Sequence, residues 1–311
     1  NKYPKFKMNN ILIAISGPTA SGKTKLSIQL AKKLNCEIIS CDSRQFYKEL
    51  TVGTAVPSKN ELSAVKHHLI QHISVNDVYN VKKFEEDSLK ILDSQFKKNK
   101  YAIVTGGSGL FLDAIIYGID EMPPSDREIR ASLNKSYNEH GIKFLQNRLK
   151  EIDPKYYNKV DLNNHRRIIR ALEVSIISGK TYSSFTSNKT NKTRRKKNDF
   201  EFVHIALDCE RKKLYDKINS RVDRMITNGL IDEVRRVKKF KSLNALNTVG
   251  YKEVIFYLEG KSTLEFAIQE IKKNTRRYAK RQLTWLRSKK NIHWVKTGVS
   301  VDELINQLNL K

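Results

Sequence analysis

The stretch GPTASGKT, Gly17–Thr24, follows directly on the apolar run ILIAIS, Ile11–Ser16. Its spacing is G-x-x-x-x-G-K-[ST], a loop that grips phosphate groups where a strand passes into a helix. The run before it is short and almost continuously apolar, as a strand buried on both faces is. The residues after it, KTKLSIQLAKKL (Lys23–Leu34), place Leu26, Leu30 and Leu34 on one helical stripe. Strand, loop and helix in that order predict a cradle of Gly17, Pro18, Thr19, Ala20, Ser21, Gly22, Lys23 and Thr24. Its backbone N–H groups and the positive end of the helix dipole face the phosphates. Lys23 reaches them, and the Thr24 hydroxyl suits a Mg²⁺ ion. The motif alone leaves open which phosphorylated molecule is held.

Four more short apolar runs follow: EIISCD (37–42), YAIVTGG (101–107), FVHIALD (202–208) and IHWV (292–295). Helical patterns lie between several of them, which predicts an α/β fold, a P-loop-type parallel sheet core with crossover helices. The alternation breaks over 121–199, which opens on Pro123-Pro124-Ser125-Asp126, a turn and helix start, and ends in the polar run SNKTNKTRRKKND (187–199). Residues 8–120 and 200–311 are therefore read as the catalytic core with a helical C-terminal segment, and 121–199 as a helical insertion. Met8 is a candidate native start, and the apolar run after it reads as a first strand rather than a secretory signal.

Charge narrows the function classes. Of 311 residues, 59 are Lys or Arg and 33 Asp or Glu, a formal charge of +26. Residues 1–120 hold 17 basic and 11 acidic side chains, so the surplus of 20 on the remainder carries most of the imbalance. Such a surface favours polyanions, nucleic acid first among them. The hydrophobic fraction of 39% supports a buried core. Three widely spaced cysteines, Cys36, Cys41 and Cys209, argue against a disulfide framework and for a reducing cytoplasm. No apolar run reaches the ~20 residues of a membrane helix.

An ATP-hydrolysing loop needs a carboxylate at a second strand end, and Asp208 and Glu210 match that weakly. Asp42 is nearer in sequence and ends the second apolar run. Strand ends at the carboxyl edge of an open sheet are where ligands sit, so Lys23, Thr24 and Asp42 are expected to share a crevice with TGGSGLF (105–111).

Taken together, GPTASGKT, DSRQFYKELTVGTA (42–55), GGSGLF (106–111), RRIIRALE (166–173), VGYKE (249–253) and KRQLTWLR (280–287) resemble the tRNA dimethylallyltransferases. The resemblance runs in order from about Ile11 to Trp294. It implies that the loop holds the diphosphate of dimethylallyl diphosphate rather than ATP. It also implies that the prenyl group goes to the exocyclic amine of the adenosine beside the tRNA anticodon. Asp42 then matches the family's general base, Lys23 stabilises the leaving diphosphate, and Thr24 with Mg²⁺ completes the cradle. Ser108 stands where the family usually has threonine and is expected to act as a catalytic group, its hydroxyl bonding the reacting amine or a diphosphate oxygen, with the rotamer-restraining methyl lost. Phe111 replaces a usual tyrosine.

The resemblance implies that the anticodon stem-loop is held by Asp42, Ser43, Arg44, Gln45 and Ser108 around the flipped base. Arg130, Arg166, Arg167, Arg170, Tyr251, Lys252, Lys280, Arg281 and Trp285 are expected around the rest of the RNA. Binding should then weaken steeply with salt. A monomer is expected. An adenylate isopentenyltransferase, a small-molecule kinase and a non-catalytic RNA-binding ATPase are the competing readings. His68 and His72 have metal-ligand spacing if helical, but structural hydrogen bonding is the favoured role for them.

Overall fold

The computed structural model describes residues 10–186 and 200–310. The polar run 187–199 and Met8 lie outside them. The chain divides into two compact units, Asn1–Ile116 with Arg195–Lys311, and Tyr117–Arg194; the sequence put the corresponding boundaries at 121 and 199.

In the first unit the described residues form one parallel sheet of β1 (Ile11–Ser16), β2 (Ile38–Ser40), β3 (His67–His68), β4 (Tyr101–Gly106), β5 (Glu201–Asp208) and β6 (His293–Lys296). The order across it is β3-β2-β4-β1-β5-β6. β1 lies at the centre, with Ile11 opposite Tyr101 on one side and Glu201 on the other. Its side chains alternate between two cores: Leu12 and Ala14 enter one cluster, Ile13 and Ile15 the other. A strand that must be apolar on both faces reads as an unbroken apolar run, which is why it was visible in the sequence.

The helix Lys23–Leu34 begins and ends where its pattern predicts, burying Leu26, Leu30 and Ala31. Gly22 starts it at φ 94°, a left-handed conformation that strains any residue with a Cβ. β3 was not predicted. It is two residues long and belongs to HHLIQH, so no helix forms there. His68 Nε2 instead bonds Glu37 at 2.7 Å, and His72 packs edge-on against Phe46 and Tyr79. Among the described residues no group of His, Cys, Asp or Glu is placed to hold a metal ion.

The second unit has its own core of Leu133, Leu145, Leu149, Ile168, Ile169, Ala171 and Leu172. Asp126 caps the helix Arg127–Ile152, accepting from Glu128 N and Ile129 N. That helix kinks at Gly141, where φ is 74°. All three cysteines are free, and burial pushes the Cys36 and Cys41 thiols up to about 12. No described helix is long and apolar enough to cross a membrane.

Candidate active site

Parallel strands all present their carboxyl ends at one edge, so the loops after β1, β2 and β4 must meet there. They open onto a cavity of about 740 Å³. Its lining includes Thr19 to Lys25, Asp42, Gln45, the stretch Thr51–Ser58 without Gly53, Arg221, Arg224, Tyr278 and Gln282.

Lys23 Nζ donates to the carbonyls of Gly17 (3.0 Å) and Pro18 (2.8 Å), folding back over its own loop. Burial pushes its amine down to about 8; Arg221 adds to this and Asp42 opposes it. Arg221 donates to Thr19 Oγ1 at 3.3 Å and is itself lowered, by burial first and then by Arg224. Several cations are thus crowded around a space that a multivalent anion fits. Thr24 is partly buried on the same wall, and its hydroxyl takes part in no hydrogen bond among the described residues.

Two carboxylates line the cavity. Glu61 is taken up in a capping box, accepting from Ser58 N (2.8 Å) and Ser58 Oγ (2.9 Å). Asp42 lies two residues beyond the end of β2, not within it as the sequence suggested, because the strand pairing stops at Ser40. Its Oδ1 accepts from Arg44 N at 3.1 Å, a local turn bond, while Oδ2 has no protein partner among the described residues. The turn role and an open oxygen therefore coexist. Gln45 donates through Nε2 to the carbonyls of Thr54 (3.2 Å) and Ala55 (3.0 Å) and accepts at Oε1 from Ser40 Oγ (3.3 Å). Its amide hydrogens are both used, so only an acceptor lone pair remains for a ligand.

Asp208 and Glu210 do not line this cavity. Glu210 pairs with Lys213 instead, at 2.9 Å.

The GGSG glycines serve packing rather than a second cradle. A Cβ on Gly106 would stand 2.5 Å from Cys41 Sγ, one on Gly107 2.1 Å from Gln282 Nε2, and one on Gly109 2.3 Å from the Trp285 ring. Two of those neighbours come from the helix Leu264–Arg287. Gln282 on that helix accepts from Thr19 N (2.8 Å) and donates to Gly107 O (3.0 Å), joining the two glycine loops. Gln282→Ala is expected to cost about 1–2 kcal/mol of stability through the two lost bonds, read by urea unfolding. It should also weaken diphosphate binding by loosening Thr19.

The sequence-nominated residues separate into groups. Ser108 lies two residues beyond β4, but its hydroxyl bonds Ser43 N (3.1 Å) and Ser43 Oγ (3.2 Å) and it is not in the cavity wall. Arg44 donates to Asn244 O at 2.7 Å, which ties down the DSRQ turn. Phe111 packs into an aromatic cluster with Phe46 and Phe84. Tyr251 is 0% exposed, so it belongs to the core and is not a platform for a base. Trp285 is partly buried, with Lys289 over its ring at 4.7 Å. Lys252, Lys280 and Arg281 are exposed.

In the second unit Arg166 and Arg167 are exposed, whereas Arg130 and Arg170 bond the fully buried Glu173 at 2.6 and 2.7 Å. Burial pushes the Glu173 carboxyl up, but bonds from Arg170, Ser125 and Arg130 outweigh it and hold the pKa below the usual range. Arg221, Arg224 and Gln282 were missed. Gln282 lies within KRQLTWLR, but its bond to Thr19, like that of Arg221, reaches a loop roughly 200 residues or more away in sequence, and Arg224 lines the same cavity.

A family model described as IPP transferase matches residues 45–289. A tRNA dimethylallyltransferase from Christiangramia forsetii is 52% identical over 287 residues, 92% of this chain and 93% of that protein. One from Flavobacterium johnsoniae is 47% identical over 96% of this chain and 98% of its own. Among solved structures, a tRNA isopentenylpyrophosphate transferase from Bacillus halodurans is 37% identical with a TM-score of 0.68, covering 96% of this chain and 94% of that one. A eukaryotic dimethylallyltransferase acting on tRNA is 25% identical with a TM-score of 0.79, covering 97% and 78%. With its phosphate loop, its Asp42 cavity and these likenesses, the chain belongs to the IPP transferase family.

Proposed function

We propose that the protein transfers a dimethylallyl group from dimethylallyl diphosphate to the exocyclic amine of the adenosine on the 3′ side of the tRNA anticodon. The observation that carries this is one cavity lined both by the cationic loop and by a carboxylate with an open oxygen. The amine nitrogen attacks the allylic carbon, the C–O bond breaks, and its electron pair leaves with diphosphate. Negative charge grows on that diphosphate, where the loop N–H groups, Lys23, Arg221 and Arg224 stand ready for it. The amine is a poor nucleophile because its lone pair is shared with the ring. Asp42 accepts its proton, which general base catalysis values at ~10²–10⁴-fold.

Thr24 is the residue that would hold Mg²⁺, and its unbonded hydroxyl on the cavity wall fits that ion. When bound, the ion would neutralise the diphosphate. Exposed Arg166, Arg167, Lys252, Lys280 and Arg281 supply phosphate contacts to the anticodon stem-loop. Arg130 and Arg170 join them as pre-oriented groups, each still partly exposed beside Glu173. Ser43, Arg44 and Gln45 shape the pocket for the flipped base, and Ser108 braces Ser43. The enzyme acts in the cytoplasm as a monomer.

The test is transfer from labelled dimethylallyl diphosphate with Mg²⁺, offering unmodified tRNA and AMP side by side. Label in tRNA alone is expected. Label in AMP alone would move the acceptor to a free nucleotide, and label in neither would remove the reading. Affinity for the stem-loop should also fall about 10³-fold or more between 50 and 200 mM salt if some six phosphates are contacted.

A further inference from the structure

One stretch of the cavity wall, Thr51–Pro57, is irregular backbone, with Ala55 at a positive φ of 50°. A loop of this kind needs an external hold on its N–H groups. Three of them converge on a side chain some 180 residues further on. Glu233, 3% exposed, accepts from Thr51 N (2.9 Å), Val52 N (2.8 Å) and Gly53 N (3.0 Å). The Tyr251 hydroxyl donates to the same carboxylate at 2.6 Å. No ion pair reaches Glu233 among the described residues; three backbone N–H groups and one phenol are its partners. Tyr251 also packs against the loop: a Cβ on Gly53 would stand 2.6 Å from its ring.

The bonds continue beyond the loop. Thr54 O and Ala55 O accept from Gln45 Nε2, Gln45 Oε1 accepts from Ser40 Oγ, and Ser40 Oγ accepts from Asp42 N at 3.4 Å. A connected path thus runs from Glu233 to the backbone of Asp42. Neither Glu233 nor Tyr251 lines the cavity.

We propose that Glu233 is a positioning residue for prenyl transfer, fixing the Thr51–Gly53 loop and, through Gln45, the turn that carries Asp42. This rests on the reading that Asp42 takes the proton. It makes TVGTA and VGYKE two halves of one device, joined by a glutamate that belongs to neither motif.

Glu233→Gln keeps the shape but turns an NH₂ group toward N–H donors. Two readouts test it. In the substrate-free protein, hydrogen exchange at Thr51, Val52 and Gly53 should quicken about tenfold while amides of β1 hold their wild-type rates. Well below the variant's Tm, kcat should fall about tenfold or more, with the Kd of inorganic diphosphate plus Mg²⁺ within about twofold of wild type. Tyr251→Phe removes a single donor and should move both readouts the same way by less; it carries the test if Glu233→Gln does not fold. Faster local exchange with unchanged kcat would make Glu233 merely structural and overturn the proposal. So would a loss of diphosphate affinity in step with kcat. A wild type that transfers no prenyl group would overturn the reaction and Glu233's part in it, and unchanged exchange differences would identify that as the failure.

Discussion

Replacing Asp42 by Asn is expected to leave tRNA affinity near wild type and to cut prenyl transfer by about 10²–10⁴-fold. Asparagine preserves the turn, because its side-chain oxygen still accepts from Arg44 N as Oδ1 does now, at 3.1 Å. What it loses is the basicity of the second oxygen. The measurement is single-turnover transfer at saturating tRNA, with stem-loop Kd as the control. Unchanged turnover would remove Asp42 as the base. A loss of RNA binding equal to the loss of rate would instead make it a base-recognition residue.

Lys23→Ala is expected to lower kcat by about 10²–10³-fold, the scale of removing one donor aimed at developing charge. Diphosphate affinity should drop as well. Its pH dependence has a definite sign. The free-protein amine sits at about 8, below its ordinary 10.5, chiefly through burial. A bound polyanion favours the charged amine, so binding near pH 8 takes up a proton. Affinity for diphosphate should weaken as pH rises through about 8, and calorimetry in buffers of different ionisation enthalpy would register the uptake. For the fold the sign is opposite. Between about 8 and 10.5 the unfolded chain holds the extra proton, so this group's contribution to stability improves as pH rises through that window. A flat affinity profile in wild type, or a sloping one in Lys23→Ala, would detach the effect from this lysine.

The sheet was legible because its strands are buried on both faces and so read as apolar blocks. Ile11–Ser16 and Lys23–Leu34 matched their patterns to the residue. β3 carried no such block; two histidines pair there through backbone alone. Asp42 could be nominated because it follows an apolar run at the carboxyl edge of the sheet and falls in DSRQ, where the family resemblance implies a base. Arg221 and Gln282 could not, since a helix residue that bonds a loop 202 or 263 positions away looks like any other polar residue on its helix. Tyr251 was misjudged for a related reason: an aromatic beside a lysine suggests a stacking surface, yet its ring is packed in the core and its hydroxyl is bonded to Glu233.

The central place of β1 has a consequence for synthesis. During translation β4 can dock beside it after about a hundred residues, yet its other neighbour, β5, begins only at Glu201. Until the ribosome has passed that point, the middle strand of the sheet shows a bare, apolar edge of the kind that nascent chains aggregate through. The intervening Tyr117–Arg194 has its own core and is free to fold in that interval. Growth conditions that slow elongation between these strands should therefore raise the dependence of the newborn chain on holding chaperones, even though the finished enzyme is unchanged.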